Sequence, residues 1–282
     1  MRRLSILPFA LILATCLPAS SHAQAPTPLS PGVDPRQRWE VSLDGHVGFP
    51  TGYIRVSETV VHGSRLRLSD LGIDVSESIE LGAAFWITPR DAVRATYLYT
   101  FLRGGSTLDR AILYDGREYT PGHLETNADF WRVSLAYDRV LTTILDRGRL
   151  IGSAGLTYAW LNPGLTQHGK TKAEDFYLQE MPVPIVGLRF DAPITDRFGI
   201  RASVAGGVLP KIDSLRKEGG TVYTWQSHAD ASVAATYAIS ETLSLEAGYQ
   251  FSYFHQHEKS HEDNNTFQLI DNGFQVGLRF RF

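Results

Sequence analysis

The sequence predicts an all-β protein, a closed antiparallel up-and-down transmembrane β-barrel of about ten strands. Three observations carry that expectation. Apolar residues recur at every second position in ten separate segments, the period of a strand whose two faces meet different surroundings. The connections are by turns short, then long and polar, as the two rims of a membrane barrel require. Beyond the N-terminal segment no run reaches 18 consecutive apolar residues, which excludes helical spans.

The chain of 282 residues opens with an export signal at 1–23. Arg2 and Arg3 supply its positive end, Leu4 to Leu17 its apolar stretch, and Ser21-His22-Ala23 the small residues a signal peptidase reads. The apolar stretch, about 14 residues, is short against the ~20 that span a bilayer as a helix. Leu13-Ala14-Thr15-Cys16 loosely resembles a lipoprotein signal, but Thr15 departs from its pattern. Cleavage after Ala23 removes the single cysteine, so the mature chain has no disulfide. Residues 24–38, with Pro26, Pro28, Pro31 and Pro35, read as a disordered periplasmic lead-in. The barrel is expected over 39–282.

Ten strands follow. The first has Trp39, Val41, Leu43, Gly45, Val47 and Phe49 on one face, with Glu40, Ser42, Asp44 and His46 on the other. It continues past a bend at Pro50 through Tyr53-Ile54-Arg55-Val56. The apolar faces of the next four are Ile79 to Ile87, Val93 to Phe101, Trp131 to Tyr137 and Leu150 to Trp160. Those of the last five are Pro184 to Phe190, Phe198 to Val208, Trp225 to Ile239, Leu243 to Tyr253 and Phe274 to Phe282. A miscounted hairpin would make eight or twelve.

Short turns follow even-numbered strands and long loops follow odd ones. The loops run from Pro50 to Asp74, Gly104 to His123, Asn162 to Asp175, Pro210 to Thr221 and Phe254 to Thr266. This gives short periplasmic turns and long extracellular loops, with both chain ends on the periplasmic side. Ile87-Thr88-Pro89-Arg90, Ile194-Thr195-Asp196-Arg197 and Ile239-Ser240-Glu241-Thr242 are near-repeats of one turn.

Charge and aromatics separate a membrane barrel from a soluble periplasmic β-sandwich binding module, which also alternates. The chain has 27 basic and 30 acidic side chains. Losing Arg2 and Arg3 leaves 25 against 30, a net charge of −5, which argues against a nucleic-acid partner. Tyr and Trp fall towards strand ends on the apolar face, where the two interfacial girdles of a barrel lie. The polar face carries Glu40, Asp44, Glu80, Asp230 and Glu246 with Arg94, Arg132, Arg189, Arg201 and Arg279. Ions of both signs in mid-strand suit a narrow enclosed lumen, where each needs a partner. Glu80 with Arg94, and Glu246 with Arg279, are the expected pairs.

The last strand alternates to its final residue, Phe274-Gln275-Val276-Gly277-Leu278-Arg279-Phe280-Arg281-Phe282. In this the chain resembles bacterial outer-membrane β-barrel proteins, whose last strand ends on an aromatic that the barrel-assembly machinery reads. The resemblance implies that Phe280 and Phe282 form the assembly signal, and that the partners are this machinery and outer-membrane lipid. Gly63 to Ile73, with Asp70-Leu71-Gly72, is similar to a stretch after the first strand in many small barrels. The family implies a fold and an address but no single activity.

The expected function is therefore a non-enzymatic outer-membrane barrel, a small channel, structural barrel or surface binder, without cofactor. A membrane-embedded hydrolase is the alternative. Omptin proteases use acidic residues and a histidine near the outer rim, and lipid A deacylases use Ser and His. Neither motif can be placed here, although His228 and Asp230 share a face and could pair as acid and base. The reading taken is that they belong to the lumen network. His255, His257 and His261 in the last loop are the best metal-binding group. A solvated rim explains them as well, and no metal is assigned.

Overall fold

The computed structural model describes residues 37–58, 60–144, 147–173, 182–213, 223–259 and 263–282. The expected export signal, residues 24–36 of the lead-in and His261 lie outside the described residues. In chain order the strands are β1 (Trp39–Gly48), β2 (Thr51–Arg55), β3 (Leu66–Arg67), β4 (Ser76–Trp86), β5 (Asp91–Phe101) and β6 (Arg103–Leu108). Next come β7 (Ile112–Tyr114), β8 (Arg117–Tyr119), β9 (Gly122–Asn127), β10 (Phe130–Ile144), β11 (Gly148–Leu161) and β12 (Gly164–Gln167). The last six are β13 (Lys170–Ala173), β14 (Val183–Pro193), β15 (Phe198–Asp213), β16 (Tyr223–Ala238), β17 (Leu243–Lys259) and β18 (Asn264–Arg281).

Ten of them form one antiparallel sheet in the order β1, β4, β5, β10, β11, β14, β15, β16, β17, β18, and β18 pairs back onto β1. Across that seam Glu40 lies opposite Arg281 and Gly48 opposite Gly273. Closure removes the free edges and rules out the two-layer sandwich. Every neighbour in the barrel is the next barrel strand in sequence, so the topology is up-and-down.

Alternation assigns the faces. Val41, Leu43, Leu135, Leu156, Val186, Val204, Val233 and Val276 are exposed on the outside, whereas Glu40, His46, Asp138, Arg189 and Glu246 are buried inside. An apolar belt of this extent on a closed cylinder would be unfavourable in water and is favourable in hydrocarbon. Aromatic pairs rim it. Trp39 packs on Phe85 at 4.8 Å and Phe198 on Tyr237 at 4.9 Å near the short-turn end. Towards the other end Trp131 meets Trp160 at 5.0 Å and Tyr158 at 6.0 Å.

The three near-repeat turns fold alike. Ile87 N–H donates to Asp91 O, Ile194 N–H to Phe198 O and Ile239 N–H to Leu243 O, at 2.8–2.9 Å. In each, the hydroxyl after the Ile accepts the backbone N–H three residues on: Thr88 from Asp91, Thr195 from Phe198 and Ser240 from Leu243, all at 3.0 Å. A hydroxyl that closes the turn on its own backbone is the reason Ser or Thr recurs there.

The long connections differ from expectation. Gly104 to His123 is not a loop but carries β6, β7, β8 and the start of β9, and Asn162 to Asp175 carries β12 and β13. The loop expected at Phe254 to Thr266 is largely the ladder of β17 and β18, with His255 opposite Gln268. Beyond the bilayer both faces of a strand meet polar surroundings or a loop, so alternation fades while backbone pairing continues. Asp115 and Gly116, both at positive φ (49° and 63°), turn the β7–β8 hairpin. Past Pro50, β2 rejoins β18 with Thr51 opposite Ile270, as the sequence suggests.

These segments close one end of the barrel. Leu98, Leu102, Phe130, Leu161, Phe254, Phe267 and Leu269 point inward at the long-loop end and are buried together with Leu68, Leu71, Ile73, Tyr114 and Leu124. The Asp70-Leu71-Gly72 stretch supplies part of this plug. Its 3-10 turn, Ser69–Leu71, ends on Gly72 at φ 73°, whose backbone lies so close to Gly105 that a Cβ would sit 2.4 Å from the Gly105 carbonyl. The Tyr114 hydroxyl donates to Pro163 O at 2.7 Å. Burial pushes the neighbouring Tyr119 phenol above its ordinary pKa. A smaller apolar set, Trp86, Ala92, Val140 and Ile151, lies at the short-turn end.

The outward belt makes a test. Val233→Arg, at the middle of β16 and 52% exposed, should lower unfolding free energy in phospholipid bilayers by roughly 2–4 kcal/mol. Val60→Arg, 90% exposed beyond the belt, should change it by less than about 0.5 kcal/mol. Equal effects would contradict the assignment of faces.

Candidate functional site

Inside the barrel the strands bring their ions together in a continuous network. Glu40 on β1 accepts from Arg279 Nη1 at 2.5 Å and from Arg281 Nε at 2.9 Å. Arg279 also grips Glu246 bidentately, at 2.9 and 3.1 Å. Glu246 bonds Arg201, which donates to Asp191 at 2.6 Å. Asp191 lies 3.6 Å from Arg149 and 3.5 Å from Arg189, and Arg189 reaches Asp138 at 3.5 Å. Asp138 takes Arg94 through two bonds of 3.0 and 3.1 Å and accepts Ser153 Oγ at 2.8 Å. Bidentate guanidinium–carboxylate geometry of this kind is strong because both partners are charged and oriented.

A second level lies nearer the plug. Arg132 donates to Asp230 at 2.9 Å, and Ser252 Oγ donates to the same carboxylate at 2.7 Å. His46 Nδ1 is 3.8 Å from Asp271, which accepts Ser76 Oγ at 2.7 Å. Asp44 and Glu80 face each other across β1 and β4, and among the described residues neither has an ion pair. A cavity of about 220 Å³ spans both levels, lined by Asp44, His46, Glu80, Arg132, His228 and Asp230 from the upper one and by Arg94, Arg189, Arg201, Glu246 and Arg279 from the lower one.

Charge is therefore graded along the barrel axis. The network near the short turns has six guanidinium groups (Arg94, Arg149, Arg189, Arg201, Arg279, Arg281) and four carboxylates (Glu40, Asp138, Asp191, Glu246). Among the described residues the level above has Asp44, Glu80, Asp230 and Asp271 against Arg132.

All ten sequence-named lumen ions face inward. Glu246 and Arg279 meet, but Glu80 and Arg94 do not. Arg94 stands opposite Ala84, four positions nearer the short turn than Glu80, whose partners across the ladders are Asp44 and Leu98. Arg94 turns to Asp138 instead. Sequence reasoning did not name Asp138, Arg149, Asp191, Asp271 and Arg281 as lumen ions. The alternation of Asp138 with Arg132, and of Arg281 with Arg279, carried a signal; Asp191 stood at the start of an expected turn.

Of the histidine group, two members are described. His255 and His257 lie on β17 rather than in a loop, on its outward face. His255 packs against Trp225 at 4.9 Å, and His257 Nε2 lies 3.0 Å from Asn264 Oδ1. Among the described residues no group of three His, Cys, Asp or Glu side chains could hold a metal ion. His228 and Asp230 do line the cavity together, but Asp230 is engaged by Arg132 and Ser252. At the C-terminal seam the Phe280 and Phe282 rings face outward 5.4 Å apart, and Phe282 and Trp39 exchange backbone hydrogen bonds at 2.9 and 3.0 Å.

No protein-family model matches this chain, and no curated protein matches it. Among solved structures it is similar to the outer membrane protease OmpT from Escherichia coli. That match has 10% identity and a TM-score of 0.49, covering 86% of this chain and 97% of that one. It is also similar to the translocator domain of the autotransporter NalP from Neisseria meningitidis, at 14% identity and a TM-score of 0.38, over 87% of this chain and 88% of that one. A third is the Ralstonia pickettii toluene transporter TbuX, at 12% identity and a TM-score of 0.34, over 87% and 90%.

The ionic network yields a prediction. Glu246→Gln leaves Arg201 and Arg279 short of a partner inside the barrel and should cost roughly 3–5 kcal/mol of stability. Asp196→Asn breaks only the exposed contact with Arg147 at 3.5 Å and should cost less than about 1 kcal/mol. Chemical unfolding in bilayers compares them. Closure of the sheet, its outward apolar belt and its enclosed ions make the chain a ten-stranded transmembrane β-barrel.

Proposed function

We propose that the chain is a non-enzymatic bacterial outer-membrane barrel, closed to diffusion, whose folded extracellular cap is its working surface. One observation carries this reading: the apolar plug at the long-loop end, in which Leu68, Leu71, Ile73, Leu102, Leu124 and Leu161 are wholly or almost wholly buried. Ions crossing it would shed their hydration without replacement. The arginine–carboxylate network supports the same reading at the other end. The long segments spend their residues on strands β6 to β9, β12 and β13, a rigid surface suited to contact with other molecules. Cleavage of the export signal and lipid around the apolar belt complete the reading, with the C-terminal aromatic addressing the chain to the assembly machinery.

The hydrolase alternative has less support. Among the described residues no hydroxyl is bonded to His228, and Ser76 donates to Asp271 rather than to His46. A nucleophile–base pair needs that contact.

Planar-bilayer recording decides between closed barrel and channel. The purified mature protein should give no discrete conductance steps, and regular steps would overturn the proposal. Deleting Phe282 should lower the heat-modifiable, folded fraction in the outer membrane several-fold while synthesis is unchanged. Undiminished folding would remove the assembly role of that residue.

A further inference from the structure

The lumen cavity has two features that the closed-barrel reading leaves unused. The first is the Asp44–Glu80 pair. The two carboxylates stand opposite each other in register. Arg132, one of five guanidinium groups in the cavity wall, is bonded to Asp230. Arg279, below Asp44, is held by Glu40 and Glu246. The Asp44 carboxylate lies over Gly277, where a Cβ would stand 1.9 Å from its Oδ1. Only glycine at 277 leaves this carboxylate its place.

The second feature is independent of the acids. His228 is 4% exposed and neither of its ring nitrogens has a hydrogen-bond partner; His46, 8% exposed, has an unpartnered Nε2. Both line the cavity. A buried imidazole left without partners costs free energy that a ligand bearing N–H donors recovers. Across the lumen, beside the paired Arg189 and Arg201, the wall has the small residues Gly187, Ser203 and Ala205, leaving room for a short uncharged body.

We infer that this cavity binds a small organic cation with a primary ammonium head, placed between Asp44 and Glu80, and a short alkyl body directed at Gly187 and Ala205. Carboxylates and imidazole lone pairs are acceptors, which an ammonium satisfies with three donors at once. A bare metal ion fits less well, since among the described residues no three candidate ligands converge. The cavity is also lined by Arg94, Arg132, Arg189, Arg201 and Arg279, but each of these is paired, with Asp138, Asp230, Asp191 or Glu246, which leaves Asp44 and Glu80 as the lining carboxylates without an ion pair among the described residues.

Isothermal titration calorimetry on the full mature barrel in detergent, with propylammonium chloride at fixed ionic strength, tests this. Saturable one-to-one binding is expected. Tetramethylammonium has the same charge and no N–H donor, and should bind at least about tenfold more weakly. Asp44→Asn and Glu80→Gln should each weaken propylammonium binding about tenfold or more. Ala205→Met, which fills the far wall without changing charge, should remove binding. Asp196→Asn at the rim should leave it intact. Heat-modifiable migration reports folding of every variant. Absence of saturable binding to the wild type overturns the inference, as does wild-type affinity in a folded Asp44→Asn, Glu80→Gln double variant. If that variant does not fold, Ala205→Met decides: lost binding supports the site and retained binding overturns it.

Discussion

Enclosure of charge by a closed sheet is the constraint on which the rest of this structure depends. A strand that crosses hydrocarbon can place an ionised side chain on one face only, and here that face points into a narrow cylinder. Each ion then needs a counter-ion on another strand, because an unpaired one is costly in that setting. The chain of contacts from Arg281 through Glu40, Arg279, Glu246, Arg201, Asp191, Arg189 and Asp138 to Arg94 draws on β18, β1, β17, β15, β14, β10 and β5. The Arg132–Asp230 bond adds β16. Electrostatics and register are thus one problem. A slip of one residue would turn Glu40 or Arg279 into lipid and its apolar neighbours into the lumen.

The two ends of the cylinder are treated differently. Near the short turns the lumen is filled by guanidinium and carboxylate groups over a small apolar set. At the other end it is filled by hydrocarbon side chains from the strand ends and from the segments that connect them. The Asp70-Leu71-Gly72 stretch belongs to the second device. Its turn places Leu71 in the plug, with Leu68 and Ile73 on either side, and Gly72 lets two backbones approach closely. Between the ends remains a polar chamber with a floor of paired guanidinium groups and, on the plug side, the carboxylates of Asp44, Glu80 and Asp230, so that the barrel interior is layered: arginine-rich, acid-rich, apolar. That layering underlies both the proposed absence of conduction and the proposed preference for a small cation.

Alternation, turn chemistry and the unequal connections were enough to read the barrel from the sequence. They gave ten strands, the inward and outward faces, the continuation of the chain past Pro50 and the three near-repeat turns, because each follows from local physics: a period of two, turn-forming residues, a bilayer of fixed thickness. The Glu246–Arg279 contact was legible too, since both residues lie on consecutive strands at similar height. What only the tertiary structure decided is how far strands run beyond the membrane, which ion meets which, and what fills the two ends. Glu80 and Arg94 show why. Partner choice depends on register with both neighbouring strands, and Asp138, two positions along β10 from the residue opposite Arg94, comes closer than Glu80, four positions along β4. The plug shows it as well: Leu68, Tyr114 and Leu124 carry no periodicity that marks them as core, because their burial comes from contact with strands distant in the chain.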